Sequence, residues 1–395
     1  MSLSSSQSNN GLSVSVVAPD LAGGGTTRVY LVANALQKMG CDVTVVGPQF
    51  APQLYPIPPQ NLKVQAIPAE RSLKYAIALK SLLATLNTDL IYAIKPRPTS
   101  FGTALLKKLT SPSKPVLLDI DDWEMSWHQQ RYRPGVKQLA RDVLTPHGAL
   151  RNPEHPIYLE WMETLVARAD GVTTSTRFLQ ERFNGHYLPN SKDTASFDPA
   201  DYDAAASREK YGLAGYRVLM FPGTARPHKG LEDILTALDQ LNEPDFRLVI
   251  VGGRKPDGYE DDLIKRWGQW LIKLPRFPMA QMAEVVSAAH VVVVPQRNYE
   301  TAKAQFPLKL TDGMAMAKPI LATTVGDIPE ILSGCAYLAE PESPSQLATQ
   351  LSSLFQDWET ATQKGNQARA RCIERYSLTA MAERLQDLFE QKGYL

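Results

Sequence analysis

The chain has 395 residues, of which 44% are hydrophobic and 21% are charged, and its formal net charge is +1. This size and apolar content suit two packed domains, and the near-zero charge argues against a nucleic-acid-binding protein. The three cysteines follow no CxxC spacing, so we predict a reducing compartment and no cysteine metal site. The polar start, MSLSSSQSNNG, does not resemble a secretory signal, and no apolar run is long enough to span a membrane. We therefore expect a soluble cytoplasmic protein.

Strands alternate with helices through the first half of the chain. The pattern predicts helices at 26–40 and 72–86 and apolar strands at 12–19, 42–48, 61–68, 89–96, 114–121 and 171–176. Because these strands are apolar on both faces, the pattern is typical of a parallel sheet that helices cover on both sides.

The same pattern restarts after a stretch at 188–203 that is rich in Pro, Asp and Ser. It predicts strands at 216–222, 246–253, 290–295 and 319–323, with helices at 230–241, 279–289 and 307–317. We therefore predict an α/β fold with two doubly wound, Rossmann-like parallel-sheet domains, at 1–197 and 198–375, and a C-terminal helix at 376–395. Ligands bind at the carboxyl ends of such strands, so we expect the two domains to face a cleft.

One strand-to-helix turn, FPGTARPHKG (221–230), combines small residues with positive charge. Gly223 would let an anion approach the backbone, and Arg226 and Lys229 would add full charges near a helix N-terminus. This pattern favours an anion site, and the alternative is a solvated surface turn.

Five motifs in order resemble the retaining GT-B glycosyltransferases of family 4, and the resemblance covers nearly the whole chain. They are LAGGGTTRVYLVANAL, ADGVTTSTRFLQERF with LPNSKDTASFDP, the FPGTARPHKG turn, FRLVIVGG, and FPLKLTDGMAMAKPILATTVGDIPEIL. The resemblance implies hexosyl transfer with retention from a UDP- or GDP-sugar, without metal or other cofactor. It also implies that the first domain binds the acceptor, that the second binds the donor, and that the last helix crosses back to the first domain.

The resemblance also implies roles for individual residues of the donor site. Arg226 and Lys229 would neutralise the leaving diphosphate, and Asp312 would accept hydrogen bonds from the ribose hydroxyls. An alternative for Asp312 is a surface ion pair with Lys309. Further donor contacts are expected at Gly24, Gly25, Gly223, Arg254, Leu308 and Lys309.

The sequence departs from the family pattern at two places in this site. Ala304 stands where the family has a glutamate that contacts the donor sugar, and Glu300 is a candidate substitute. Arg226 stands two residues beyond the position of the family arginine. Ala304 gives weight to a rival interpretation, in which the protein is a non-catalytic sugar-nucleotide binder of the same fold.

The stretch VLLDIDDWEMSW (116–127) carries Asp119, Asp121 and Asp122 where family members often have a histidine. We predict that Asp121 takes the proton of the acceptor hydroxyl or binds a sugar hydroxyl, and that Asp122 contacts the acceptor. The alternative is a buried polar anchor for the loop. DID also matches the D-x-D metal motif of the GT-A class, although the second doubly wound unit argues against that class.

Two basic segments in the first half point to the acceptor. Lys95 and Arg97 end a predicted strand and could bind an acidic acceptor, although solvated charge is an equal alternative. The basic and aromatic segment 128–161 could touch lipid headgroups or cap the acceptor pocket. The expected partners are a nucleotide-sugar donor and a sugar, glycan or lipid-linked acceptor. His128, His147 and His155 lack metal-ligand spacing, so we predict no metal.

Overall fold

The computed structural model describes residues 11–395 except 24, 72, 73, 129–134, 138, 139, 141–147 and 149–151. The strands are β1 (Ser13–Val17), β2 (Asp42–Gln49), β3 (Lys63–Pro68), β4 (Leu90–Ile94), β5 (Val116–Ile120), β6 (Gly171–Thr174), β7 (His186–Tyr187), β8 (Arg217–Pro222), β9 (Phe246–Val251), β10 (Leu271–Leu274), β11 (Val291–Val294), β12 (Ile320–Thr323) and β13 (Tyr337–Ala339).

The α-helices of this part of the chain lie between and after these strands. They are α1 (Thr26–Lys38), α2 (Tyr75–Thr85), α3 (Thr103–Thr110), α4 (Pro156–Thr164), α5 (Arg177–Phe183), α6 (Ala204–Lys210), α7 (Leu231–Leu241), α8 (Tyr259–Trp267), α9 (Met282–Ser287), α10 (Glu300–Lys303), α11 (Leu308–Ala315), α12 (Ile328–Leu332), α13 (Pro344–Gln356), α14 (Trp358–Tyr376) and α15 (Leu378–Lys392).

The strands form two sheets, and each has the order of a doubly wound fold. The first has the order β3-β2-β1-β4-β5-β6-β7, and the second has the order β10-β9-β8-β11-β12-β13. The pairs β1·β2, β1·β4, β8·β9 and β8·β11 are all parallel. In each sheet the strand order therefore reverses beside the first strand, which makes the carboxyl ends of β1 and β8 topological switch points.

Alternating side chains of β8 show why the second sheet needs helices on both faces. Val218 and Met220 enter one buried cluster, which also contains Leu310 of α11. Leu219 and Phe221 enter the other, which is completed by residues of α7 and α13. Burial on both faces is typical of parallel sheets, and the predicted α/β fold with two doubly wound sheets is confirmed.

The chain divides into two compact units by its internal contacts. The first comprises residues up to Ile120, His128–Thr173 and Ala382–Leu395, and the second comprises Asp121–Trp127 and Thr174–Met381. The short segment that follows β5 thus packs with the second unit. The domain limits at 197 and 375 stay predictions.

A close helix–strand approach sets the position of α11 in the second unit. A Cβ atom at Gly313 would lie 2.9 Å from the Cβ of Val292, so glycine lets α11 pack directly on β11. This approach places the first turn of α11 beside the carboxyl end of the sheet.

Across the described ranges, none of the helices combines the length and the apolar character that crossing a bilayer requires.

Candidate active site

The turn between β8 and α7, residues 223–230, is called the cation turn here because it carries Arg226 and Lys229. The Gly223 N–H donates to the carbonyl of Val251 at 2.8 Å, which ties the start of the turn to β9. Gly230 ends it with φ +67°, and a Cβ there would overlap the carbonyl oxygen of Pro295. Only glycine fits this position, so the turn is held against the chain that leaves β11.

Lys229 of the cation turn contacts a neutral side chain. Its Nζ donates to Oε1 of Gln305 at 2.7 Å, and Nε2 of Gln305 donates to Oδ2 of Asp122 at 3.1 Å. Gln305 therefore links Lys229 to Asp122. Burial lowers the pKa of Lys229 well below its usual range, the charges of Lys309 and Arg226 lower it further, and Asp122 opposes them.

Lys309, in the first turn of α11, is the second cation of the site. It is buried, and its Nζ lies 4.7 Å from the centroid of the Phe221 ring. Its Cε would lie 3.4 Å from a Cβ at Gly223, so the side chain runs along the cation turn. Burial lowers the pKa of Lys309 to about 8, with Asp312 acting in the opposite direction.

His228 and Arg226 complete the cation turn. Burial, together with the charges of Lys229, Lys309 and Arg226, lowers the pKa of His228 to about 3, so the ring is neutral at physiological pH. This ring packs edge-on against Trp127, with centroids 5.5 Å apart. The Arg226 guanidinium is 3.9 Å from a carboxylate oxygen of Asp257, beyond hydrogen-bond distance.

Asp312 lies on α11 three residues after Lys309 and is buried. Its carboxylate forms an ion pair with Lys192, whose Nζ also lies 3.6 Å from the Phe197 ring centroid. The structure thus pairs Asp312 with Lys192 where the alternative interpretation had Lys309. The ribose contact of Asp312 stays a prediction.

The other predicted donor residues of the second unit are less closely associated with the cation turn. Leu308 starts α11, with Pro307 at its N-cap. Glu300 is exposed at the start of the short helix α10, and Ala304 is completely buried. Arg254 is exposed and forms an ion pair with Asp261. The roles predicted for these residues stay predictions.

Asp119 is a buried anchor within the first unit. Its two carboxylate oxygens accept from Nε and Nη2 of Arg28 at 2.9 and 2.7 Å, and Thr173 donates to it at 2.7 Å. Arg28 belongs to α1, so the pair ties that helix to β5. Asp119, the first carboxylate of the D-x-D match, therefore already accepts hydrogen bonds from Arg28 and Thr173.

Asp121 and Asp122 have a different environment from Asp119. Both are half-buried, and they belong to the second compact unit. The carbonyl of Asp121 accepts a hydrogen bond from the Ser175 hydroxyl at 3.0 Å. Within the described ranges, no three His, Cys, Asp or Glu side chains are grouped so that they could hold a metal ion.

The predicted acceptor residues of the first unit lie near its glycine loop. Lys95 is buried with φ 69°, and its Cε would lie 3.3 Å from a Cβ at Gly25. Arg97 forms an ion pair with Glu154, which lies 3.4 Å from Arg71. Gly24 and much of the segment 128–161 lie outside the described residues, so their roles stay predictions.

Sequence reasoning missed Gln305 and Lys192, which contact the predicted site residues Lys229 and Asp312. Gln305 adjoins Ala304, where the motif departs from the family pattern, and that departure was the signal that could have drawn attention to it.

The site as a whole places three cations, Arg226, Lys229 and Lys309, around the carboxyl end of β8. Such a cluster suits an anion with several charged oxygens.

Two family models match the chain, one on each side of residue 200. A model described as "Glycosyl transferase 4-like domain" matches residues 23–194, and one described as "Glycosyl transferases group 1" matches residues 216–357.

Curated relatives and a solved structure agree with these matches. An alignment of 416 positions gives 24% identity to an MMP alpha-(1->4)-mannosyltransferase of Mycolicibacterium hassiacum and covers 93% of this chain and 95% of that protein. It is 28% identical to an alpha-maltose-1-phosphate synthase of Mycobacterium tuberculosis over 52% of this chain and 56% of that protein. Anabaena HepE, solved with UDP and glucose, superposes with a TM-score of 0.72 at 16% identity, over 96% of this chain and 99% of HepE. Together with the GT-B architecture shared with HepE, the two family models show that the chain belongs to the group 1 glycosyltransferases.

Proposed function

We propose that this protein transfers a hexosyl group from a UDP- or GDP-sugar to a hydroxyl of a sugar, glycan or lipid-linked acceptor. The transfer retains the anomeric configuration and needs no metal ion. The observation that carries the proposal is the cluster of Arg226, Lys229 and Lys309 at the carboxyl end of β8, in which Lys309 is buried and the other two side chains are half-buried.

The proposed role of this cluster follows from the charge of the leaving group. A nucleoside diphosphate gains negative charge as the glycosidic bond breaks, and fixed cations aimed at that charge lower the barrier. Lys309 is buried and Lys229 is half-buried, so their electrostatic effect on a phosphate is larger than it would be in bulk water. Arg226 and the backbone N–H groups at the start of α11, Leu308 and Lys309, would complete the diphosphate site.

The remaining donor contacts are proposed as the family resemblance implies them. Asp312 would accept from the ribose hydroxyls, Arg254 would lie near the base, and Glu300 would stand in for the glutamate missing at Ala304. The mannosyltransferase of M. hassiacum and the HepE complex with UDP and glucose support a hexosyl donor. They leave both UDP and GDP as candidates for the nucleotide.

The acceptor side of the proposal rests on the first unit and on the segment after β5. Lys95 and Arg97 would attract an acidic acceptor, and Asp122 would bind one of its hydroxyls. Attack from the face that the leaving group vacates gives retention without a covalent intermediate. The acceptor proton would pass to the leaving phosphate or to Asp121.

The test is nucleotide release from a panel of UDP- and GDP-sugars, with and without a panel of sugar acceptors, in the presence of EDTA. We expect acceptor-dependent release that EDTA leaves unchanged. If EDTA abolishes release and magnesium or manganese restores it, the metal-independent mechanism is wrong.

A non-catalytic sugar-nucleotide binder remains the second candidate because Ala304 is fully buried and offers no polar group to a sugar. Thermal shift measured with the same donors separates the two functions. A binder would be stabilised by a donor and would release no nucleotide with any acceptor of the panel.

A further inference from the structure

Gln305 lies between two groups of opposite charge that belong to different segments. Its amide oxygen accepts from Lys229 Nζ at 2.7 Å, and its amide nitrogen donates to Asp122 Oδ2 at 3.1 Å. An ammonium can only donate and an ionised carboxylate can only accept. Both neighbours therefore dictate the same orientation of the amide.

The backbone around Gln305 is held firmly on both sides. Ala304 is fully buried, Phe306 is buried, and the Gln305 N–H donates to the carbonyl of Ala302 at 3.3 Å. Pro307, the N-cap of α11, lies two residues after Gln305. The side chain of Gln305 thus extends from a fixed point, and its amide group stays between Lys229 and Asp122.

The neutral amide of Gln305 prevents a direct ion pair between Lys229 and Asp122. A lysine and an aspartate in a half-buried site would otherwise form a direct ion pair, which cancels most of the field that either charge exerts on a third group. Within the described part of the chain, the other charges that act on Lys229 are those of Lys309 and Arg226, and both repel it. Asp122 is accordingly the group that would draw the ammonium away from the cation turn.

We propose that Gln305 is a positioning residue that holds Lys229 and Asp122 one amide group apart, so that the Lys229 ammonium stays directed at a bound diphosphate. The inference rests on the proposed function, in which Lys229 contacts the diphosphate of the donor. It adds that Asp122 competes for Lys229 whenever Gln305 is absent.

The test uses the full-length protein and measures the affinity for UDP and for GDP by calorimetry, which needs no acceptor. Gln305→Met keeps the length of the side chain and removes both hydrogen bonds. We expect it to weaken binding of the preferred nucleotide about 10-fold, the effect of one charge-assisted hydrogen bond. In Gln305→Met with Asp122→Asn no carboxylate competes for Lys229, so affinity should return to that of Asp122→Asn alone.

A second variant keeps the test informative if Gln305→Met folds poorly. Gln305→Glu places a carboxylate beside Lys229 itself, so adding Asp122→Asn should not restore its affinity. An unchanged affinity in Gln305→Met, or a loss that Asp122→Asn leaves in place, would overturn the proposal. So would full restoration of Gln305→Glu by Asp122→Asn. Lys229→Ala separates this failure from that of the proposed function, because an unchanged affinity in that variant means that Lys229 does not contact the diphosphate.

Discussion

The cations near the switch points of the two sheets differ in the partners that they contact. In the first unit, arginines near the ends of β1 and β4 pair with carboxylates. Arg28 is bonded to Asp119 through two nitrogens, and Arg97 pairs with Glu154. A carboxylate at hydrogen-bond distance neutralises most of the charge of each guanidinium.

In the second unit the corresponding cations have neutral or distant neighbours. Lys229 contacts the amide of Gln305, Lys309 lies over the Phe221 ring, and Arg226 is 3.9 Å from Asp257. The pKa values of both lysines fall because of burial, which is a sign of charge that the protein leaves uncompensated. We infer that the paired arginines of the first unit stabilise the fold. The three cations of the second unit lower its stability, and their charge remains available to an anionic ligand.

The largest expected effect concerns the neutralised pair of the first unit. Arg28→Leu would leave Asp119 buried without its partner and should lower the free energy of unfolding by about 3–5 kcal/mol, measured by urea denaturation. Replacing both residues with leucine should recover much of that loss. A decrease below about 1 kcal/mol in Arg28→Leu would mean that this pair is not an anchor.

The next effect concerns catalysis at the uncompensated site. Lys229→Ala should lower turnover by roughly 10²–10³-fold, because a charge contact to the leaving diphosphate is lost. Lys229→Arg retains the charge and serves as the matched control, with a smaller decrease. Near-normal turnover in a folded Lys229→Ala protein would make the cation turn an ordinary surface turn.

Asp312→Ala should weaken nucleoside diphosphate binding about 10- to 150-fold, the range for a lost charge-assisted hydrogen bond. Ribose contacts change little between ground and transition states, so the effect should appear in KM more than in kcat. Asp312→Asn should be milder because its amide oxygen can still accept.

The ion pair of Asp312 with Lys192 calls for a second control. Lys192→Met breaks the pair and keeps the carboxylate, so its affinity for the nucleotide should stay closer to that of the unmodified protein. Equal losses in Lys192→Met and Asp312→Ala would assign Asp312 to structure and would contradict the predicted ribose contact.

The smallest effect is a pH dependence that sharpens the contrast between the units. Burial lowers the pKa of Lys309 to about 8, so its charge predominates below that pH and is lost above it. The charged fraction of Lys309 falls about 10-fold between pH 7 and pH 9, so affinity for the nucleoside diphosphate should fall by up to about 10-fold over that range. An arginine at this position stays charged from pH 7 to pH 9, so Lys309→Arg should reduce the dependence of affinity on pH. A profile that is flat in the unmodified protein would argue against contact between Lys309 and the phosphates.

The sequence predicted most of the scaffold because its strands are rich in buried Val, Ile and Leu. The strand expected at 216–222 is observed at Arg217–Pro222, and the helix expected at 307–317 is observed at Leu308–Ala315. Three edge strands, His186–Tyr187, Leu271–Leu274 and Tyr337–Ala339, were missed. Each has only two to four residues, so it lacks the long continuous apolar run that reveals a central strand.

The partners of the site residues could not be predicted in the same way. Arg28 and Asp119 are separated by 91 positions, and Lys229 and Gln305 by 76. Periodicity locates a residue on a strand or helix, whereas its partner depends on which elements the fold brings side by side. The resemblance pointed to Lys229 and Lys309, and the contacts among side chains added Gln305 and Lys192.

Gly230 has a consequence for engineering this protein. Because any Cβ there would overlap the Pro295 carbonyl, the chain that leaves β11 fixes the backbone at the end of the cation turn. A combinatorial library can therefore randomise position 228 in search of altered donor preference while Arg226 and the end of the loop are kept. The same library should leave position 230 unchanged, since most variants there would be removed for misfolding before selection could act on their specificity.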